Sequence, residues 1–133
     1  MNIAAALLIA LHWLDGTPVS TASSNGTALL FWRADCPPCV VELRSAADYI
    51  AAAEPGRVIF VGLQDDAAVR AAAARFSLPA DAVAKADGAA VTALPMAVIL
   101  GPAGQVCFRH AGLLGTETLR RHMASCGGGG AGR

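Results

Sequence analysis

The chain carries no net charge: ten Lys and Arg balance ten Asp and Glu over 133 residues. Phosphate backbones are held by a strongly basic face, so nucleic acid is excluded as a partner. A long hydrophobic run is also missing. Although 55% of the residues are apolar, charges and glycines interrupt each stretch well short of the ~18 residues that would span a bilayer. Four cysteines are too few for a disulfide scaffold. None is needed, because a single domain of this length buries roughly two-thirds of its unfolded surface. No internal repeat is visible. Lysine is nearly absent, with Lys85 alone beside nine arginines, a compositional bias without functional weight.

The apolar stretch Ile3 to Leu11 has about the length of an export-signal core, ~7–15 residues. It lacks a preceding Lys or Arg, and Ser20-Thr21-Ala22 offers the small residues of a cleavage site. It reads as an export leader remnant or as an ordinary first strand or helix, which sets residues 1–11 apart from a domain over 12–126 and a flexible Gly-rich tail over 127–133. His12 to Ser20 reads as a hairpin turning at Asp15-Gly16. Ala28 to Trp32 and Val58 to Leu63 are short continuous apolar runs, as buried strands are. Pro37 to about Ala53 contains no internal breaker and reads as one helix ending before Pro55-Gly56. Asp65-Asp66 opens a helix through Ala74, and Ala82 to Lys85 is a short strand followed by a helical turn. Met96 to Leu100 and Gln105 to Ala111 are strands joined by the turn Gly101 to Gly104. Thr116 caps a last helix ending near Cys126. Such an alternation describes an α/β domain with one central sheet covered by helices.

Cys36-Pro37-Pro38-Cys39 stands where the first buried strand turns into the first long helix. Cysteines at i and i+3 on the opening helical turn can close a small disulfide ring. The free N–H groups and partial positive charge of a helix N-terminus stabilise a thiolate on Cys36. Proline is tolerated there because the N–H it lacks would be unpaired. Cys36 therefore reads as the exposed nucleophile, and Cys39 as the deeper, resolving thiol.

The segment Phe31 to Glu42 (FWRADCPPCVVE) resembles the active site of the TlpA-like (ResA/DsbE-type) thioredoxin-fold thiol–disulfide oxidoreductases. Leu14 to Ser20 is similar to that family's opening hairpin, Val61 to Asp66 to its second strand and loop, and Leu94-Pro95 to its cis-proline loop. The resemblance implies a thioredoxin-like fold with a central mixed sheet flanked by helices. It assigns Cys36 and Cys39 as the redox-active disulfide and Pro95 as a cis-proline that frees the backbone of Leu94 for an extended substrate segment. It makes Glu42 a proton acceptor one helical turn beyond Cys39, against the alternative of a solvated helix carboxylate. Trp32, Pro37, Pro38 and Leu94 would line the substrate groove, with a plain core aromatic as the alternative for Trp32.

The departures from the family are as informative. Asp35 replaces the usual aromatic residue before the first cysteine; its carboxylate would either raise the Cys36 pKa or cap the helix. Leu30 stands where thioredoxin has a buried aspartate, so more rests on Glu42. No proline follows Glu42 to kink the helix, and Leu94 is bulkier than the usual residue before the cis-proline. Cys107 and Cys126 read as small buried hydrophobes or, in an oxidising compartment, as a structural disulfide, since the last strand and helix pack together in this fold. A zinc site from Cys36, Cys39, Cys107 and His110 is set aside because residues three apart on a strand face opposite ways. His122 and Cys126 lack a third ligand, and His12 and His110 read as surface residues. No cofactor or metal is called for.

The expected activity is reduction of protein disulfides in the periplasm or cell envelope, in cytochrome c maturation or general thiol homeostasis. A membrane protein would supply electrons to a monomeric enzyme. The alternatives are an oxidant or isomerase of the same fold, a non-catalytic metal- or thiol-binding module, and a cytoplasmic location.

Overall fold

The computed structural model describes residues 10–86 and 91–126. The expectations for Ile3 to Ala10 (bar its last residue), for the helical turn after Lys85 and for the tail over 127–133 lie outside the described residues. The elements are β1 (Leu11–Trp13), β2 (Thr27–Trp32), α1 (Pro37–Arg44), α2 (Ala46–Ala53), β3 (Arg57–Gly62), α3 (Asp66–Arg75), β4 (Val83–Ala86), β5 (Met96–Leu100), β6 (Val106–Ala111) and α4 (Thr116–Cys126). Among the described residues no helix is long and apolar enough to cross a membrane.

Six strands form one mixed sheet in the order β1-β4-β3-β2-β5-β6. The inner strands β4, β3 and β2 are parallel, and β1, β5 and β6 join antiparallel. The crossovers from β2 to β3 and from β3 to β4 step the same way along the sheet. Right-handed crossovers then place α1, α2 and α3 on one face. That face carries Ala28, Leu30, Trp32, Val58, Phe60, Ala97 and Ile99 against Leu43, Tyr49, Val69, Leu119 and Met123 of the helices. The alternate residues Leu29, Phe31, Ile59, Val61, Val98 and Leu100 form a second cluster, against which Trp13 and Val19 of the N-terminal hairpin pack. Strands buried on both faces read as continuous apolar runs, which is why β2, β3 and β5 are visible in the sequence. At Gly62 the face toward α3 is too tight for a side chain: an added Cβ would lie 2.6 Å from Val69 and 3.0 Å from Trp32.

The N-terminal hairpin turns as expected. Gly16, at φ 91°, sits in the left-handed region that glycine adopts without penalty, and Trp13 and Thr17 close the turn with a 2.9 Å hydrogen bond. Leu11, assigned by sequence to the leading segment, is the first residue of β1 and pairs with Ala86.

Three details differ from the sequence reading. The helix expected over 37–53 is broken at Ser45, whose backbone (φ −102°, ψ 19°) leaves the α region and whose N–H bonds back to Glu42 and Leu43. The buried positions Cys39, Glu42, Leu43, Ala46, Tyr49 and Ala53 keep helical spacing across this break, so hydrophobic periodicity alone cannot show it. Thr116 is the first residue inside α4 rather than its cap; the carbonyl of Gly115 takes the first helical bond, from Leu119. Finally, a bulge falls between Ile99 and Leu100, which oppose Phe108 and Val106, leaving Cys107 as the extra residue.

The bulge resets which way β6 points its side chains. Cys107 is disulfide-bonded to Cys126 of α4, while the next residue, Phe108, stacks on His122 of α4 with ring centroids 3.6 Å apart. Successive residues thus reach the same helix, and the strand-parity argument applied to Cys107 and His110 does not hold. Cys107 is exposed, so it is a bridge and not a buried hydrophobe.

Candidate active site

The loop from Trp32 into α1 puts Cys36 at the N-cap in an extended conformation (φ −111°, ψ 106°), with Pro37 and Pro38 in the first turn. Two prolines remove two of the N–H groups that normally crowd a helix N-terminus. Val40 N–H is spent on the Cys36 carbonyl at 3.1 Å. The first free helical N–H is therefore that of Cys39, and it donates to Cys36 Sγ at 3.3 Å. The polar end of α1 converges on one sulfur. Cys36 and Cys39 form a disulfide with Cα atoms 5.2 Å apart. Cys39 is fully buried, whereas Cys36 is half-buried, the asymmetry expected for a nucleophilic and a resolving thiol.

Asp35 does not cap the helix. Cys36 itself caps α1, and Asp35 is exposed and paired with Arg33, Nε to Oδ1 at 3.0 Å and a second guanidinium nitrogen to Oδ2 at 3.2 Å. Hydrogen bonding from Arg33 holds the Asp35 carboxyl below the usual carboxylate range and holds the guanidinium proton more firmly in return. The negative charge beside Cys36 is thus offset by a cation two residues before it. Arg33 also donates to the Leu63 carbonyl at 3.4 Å, and Ala34 N–H donates to Gln64 Oε1 at 2.7 Å. These two bonds moor the dithiol loop to the loop after β3.

Glu42 is 5% exposed, which rules out the solvated-carboxylate alternative. Its Oε2 accepts from Leu114 N–H at 2.9 Å and from the Tyr49 hydroxyl at 3.3 Å. The Tyr49 oxygen in turn accepts from Gly115 N–H at 2.9 Å. Burial pushes the Glu42 carboxyl above its ordinary range, opposed by the two donors and by His110 on β6. Burial, with the Glu42 charge beside it, pushes the Tyr49 hydroxyl up to about 12. The sequence reading missed Tyr49, Leu114 and Gly115. One signal was available for Tyr49: it is the chain's single tyrosine, on the same buried stripe as Glu42.

The Leu94–Pro95 peptide is cis, and Pro95 is buried. The β2–β5 ladder begins at Phe31 and Met96, so Pro95 and the loop leading to Cys36 occupy the same end of the sheet. Gly112 N–H donates to the Pro95 carbonyl at 2.8 Å. The segment from Gly112 to Gly115 therefore touches both the cis-proline loop and the Glu42–Tyr49 pair. Among the sequence-assigned groove residues, Pro37 is exposed and Pro38 and Leu94 are half-buried. Trp32 is corrected: at 2% exposure it belongs to the core, and its Nε1 has no hydrogen-bond partner among the described residues. Leu30 is likewise core, at 1%. Cys107 and Cys126 sit at the far end of the sheet, since β6 starts where β5 ends.

No family model and no curated protein matches this chain. Solved structures do. DsbF of Mycobacterium tuberculosis, in mixed oxidised and reduced forms, is 24% identical with a TM-score of 0.69, covering 92% of this chain and 97% of its own. StoA from Bacillus subtilis is 20% identical with a TM-score of 0.67, covering 85% and 93%. A secreted M. tuberculosis disulfide oxidoreductase homologous to E. coli DsbE is 23% identical with a TM-score of 0.64, covering 90% and 96%. At these identities the likeness establishes the fold. The chain has the thioredoxin-like fold of DsbE-, StoA- and PilB-like proteins.

Proposed function

We propose that the chain is a thiol–disulfide oxidoreductase acting on protein disulfides, with the Cys36–Cys39 dithiol as its working group. The observation that carries this reading is the placement of that pair: one sulfur half-buried at a helix N-cap and receiving an N–H, the other buried one turn inside. A thiolate on Cys36 attacks a substrate disulfide, forming a mixed disulfide and releasing one substrate thiolate. Cys39 gives its proton to the Glu42 carboxylate and attacks Cys36 Sγ. The second substrate thiolate leaves and takes up the proton from Glu42. Two electrons pass from the dithiol to the substrate, and Cys36–Cys39 is left oxidised.

Protein substrates fit the surface at this end. Leu94 precedes the ladder and makes no backbone hydrogen bond among the described residues, so an extended segment can pair with it. Val41 and Leu113, exposed large hydrophobics, flank Glu42 and Leu114 in sequence. Work as a reductant in the cell envelope, fed by a membrane electron donor, follows from the resemblance to TlpA-like enzymes. An oxidising compartment is supported by the Cys107–Cys126 disulfide and by neighbours named as a secreted oxidoreductase and an exposed lipoprotein thioredoxin. Reduction of insulin disulfides by the full chain, with excess small thiol as donor, tests the reading. A rate above that of the thiol alone supports it, and a rate equal to it contradicts it.

Glu42 sets the expected pH dependence. Its carboxyl is raised above the ordinary carboxylate value, and only the ionised form can accept the Cys39 proton. Resolution should therefore be intact above the Glu42 pKa and fall as pH drops through it. Glu42→Gln should slow Cys39 attack by about 10²-fold or more, the usual span for removing a general base, and abolish the acid limb. An unchanged rate–pH profile would return Glu42 to a purely structural role.

A further inference from the structure

We propose that Tyr49 is a positioning residue for thiol exchange: held by Gly115 N–H, its hydroxyl locks Glu42 Oε2 and leaves Oε1 as the oxygen that takes the Cys39 proton. The proposal rests on the reading of Glu42 as proton acceptor and adds the group that orients it. Three hydrogen bonds define the arrangement. Tyr49 and Leu114 N–H both donate to Oε2, at 3.3 and 2.9 Å, and Gly115 N–H donates to the Tyr49 oxygen at 2.9 Å. Among the described residues Oε1 accepts no hydrogen bond. A carboxylate with both donors on one oxygen cannot swing freely, and its other oxygen stays available.

The anchoring crosses three parts of the fold. Glu42 is on α1, Tyr49 on α2 beyond the break at Ser45, and Leu114 and Gly115 lie in the loop between β6 and α4. The break matters, because Tyr49 follows Glu42 by seven residues and meets it across the junction of two helices. Tyr49 is itself 4% exposed, so its ring has one place to sit. Its hydroxyl, pushed up to about 12, keeps its proton at all working pH and remains a donor. The titratable groups that act on Glu42 are Tyr49 on α2, through its hydrogen bond, and His110 on β6, through charge alone.

Removing the hydroxyl removes a donor to the charged form, which raises a carboxyl pKa. Tyr49→Phe should move the Glu42 pKa up by about one pH unit, so resolution at a fixed pH on the acid limb falls roughly tenfold. Single-turnover reaction of the reduced full chain with the aromatic disulfide DTNB separates the steps. The first thionitrobenzoate reports attack by Cys36, and the second reports attack by Cys39. The proposal predicts that Tyr49→Phe shifts the acid limb of the second release upward and leaves the profile of the first in place. If Glu42→Gln abolishes that limb and Tyr49→Phe leaves it unmoved, the Tyr49 proposal is overturned alone. If Glu42→Gln leaves it unmoved, the reading of Glu42 fails and takes the proposal with it. Should Tyr49→Phe not fold, the wild-type protein still decides. The Tyr49 Cζ resonance should show a step at the pKa read from Glu42 Cδ, and a flat response through that pKa would overturn the proposal.

Discussion

Cys36→Ser should reduce no protein disulfide above the background rate of the thiol donor, while Cys39→Ser should hold substrates as mixed disulfides. The contrast follows from the separate positions of the two sulfurs. Cys36 is the half-buried sulfur at the N-cap, and it alone can meet a substrate disulfide. Serine there keeps the cap, since a hydroxyl accepts the Cys39 N–H as well as sulfur does, so loss of activity would not reflect loss of the helix. Cys39 is fully buried and cannot begin the reaction, but without it nothing inside the protein attacks the mixed disulfide. Incubation of Cys39→Ser with a disulfide-containing protein should give an adduct approaching one per chain on a non-reducing gel, lost on adding excess thiol. Activity retained by Cys36→Ser, or no adducts with Cys39→Ser, would remove the assigned roles.

The second large effect concerns stability. The double substitution of Cys107 and Cys126 by serine should cost about 3 kcal/mol, the chain-entropy value for a loop of this order, and lower Tm by roughly 10 °C. The bridge joins residues 19 apart in sequence and ties the edge strand β6 to the last residue of α4. That helix is lightly anchored: only Leu119 and Met123 are buried, with the His122–Phe108 stack beside them. Freed from Cys107, its final turn should fray first. Thermal unfolding of the oxidised wild type and the double variant measures the cost, and coincident curves would show that the bridge adds nothing.

Much of this architecture was legible from the sequence because it is local. Two-sided burial writes β2, β3 and β5 as apolar runs, and the dithiol, its prolines and Leu94-Pro95 are short motifs with fixed consequences. What escaped depends on partners elsewhere or on one-residue irregularities. The break at Ser45 is hidden by an unbroken buried stripe. The bulge at Cys107 inverts a parity argument that is sound for a regular strand, and so mis-stated which way Cys107 faces. Asp35 was weighed against Cys36 without Arg33, although a loop can fold a two-residue neighbour back onto a carboxylate. The Glu42 network joins residues 72 and 66 apart, and no local pattern announces the backbone N–H groups of Leu114 and Gly115. Trp32 was readable either way, since an aromatic at the end of a buried strand looks the same whether it lines a groove or fills a core.

The two disulfides also differ in what leaves when they are attacked. Cys36 is at the positive end of α1, where a thiolate is stabilised. Cys126 is at the negative end of α4, where it is not. A stabilised thiolate is the better leaving group, and its stabilisation in the reduced form makes a disulfide easier to reduce. The reduction potential of each pair, read by alkylation and mass spectrometry of the full chain across a graded thiol buffer, tests the account most directly. It predicts that Cys36–Cys39 titrates reversibly as a two-electron couple within about −270 to −120 mV, the span of thioredoxin-like exchange dithiols, while Cys107–Cys126 stays oxidised throughout. A Cys36–Cys39 pair still oxidised below about −300 mV, where structural disulfides lie, would contradict it.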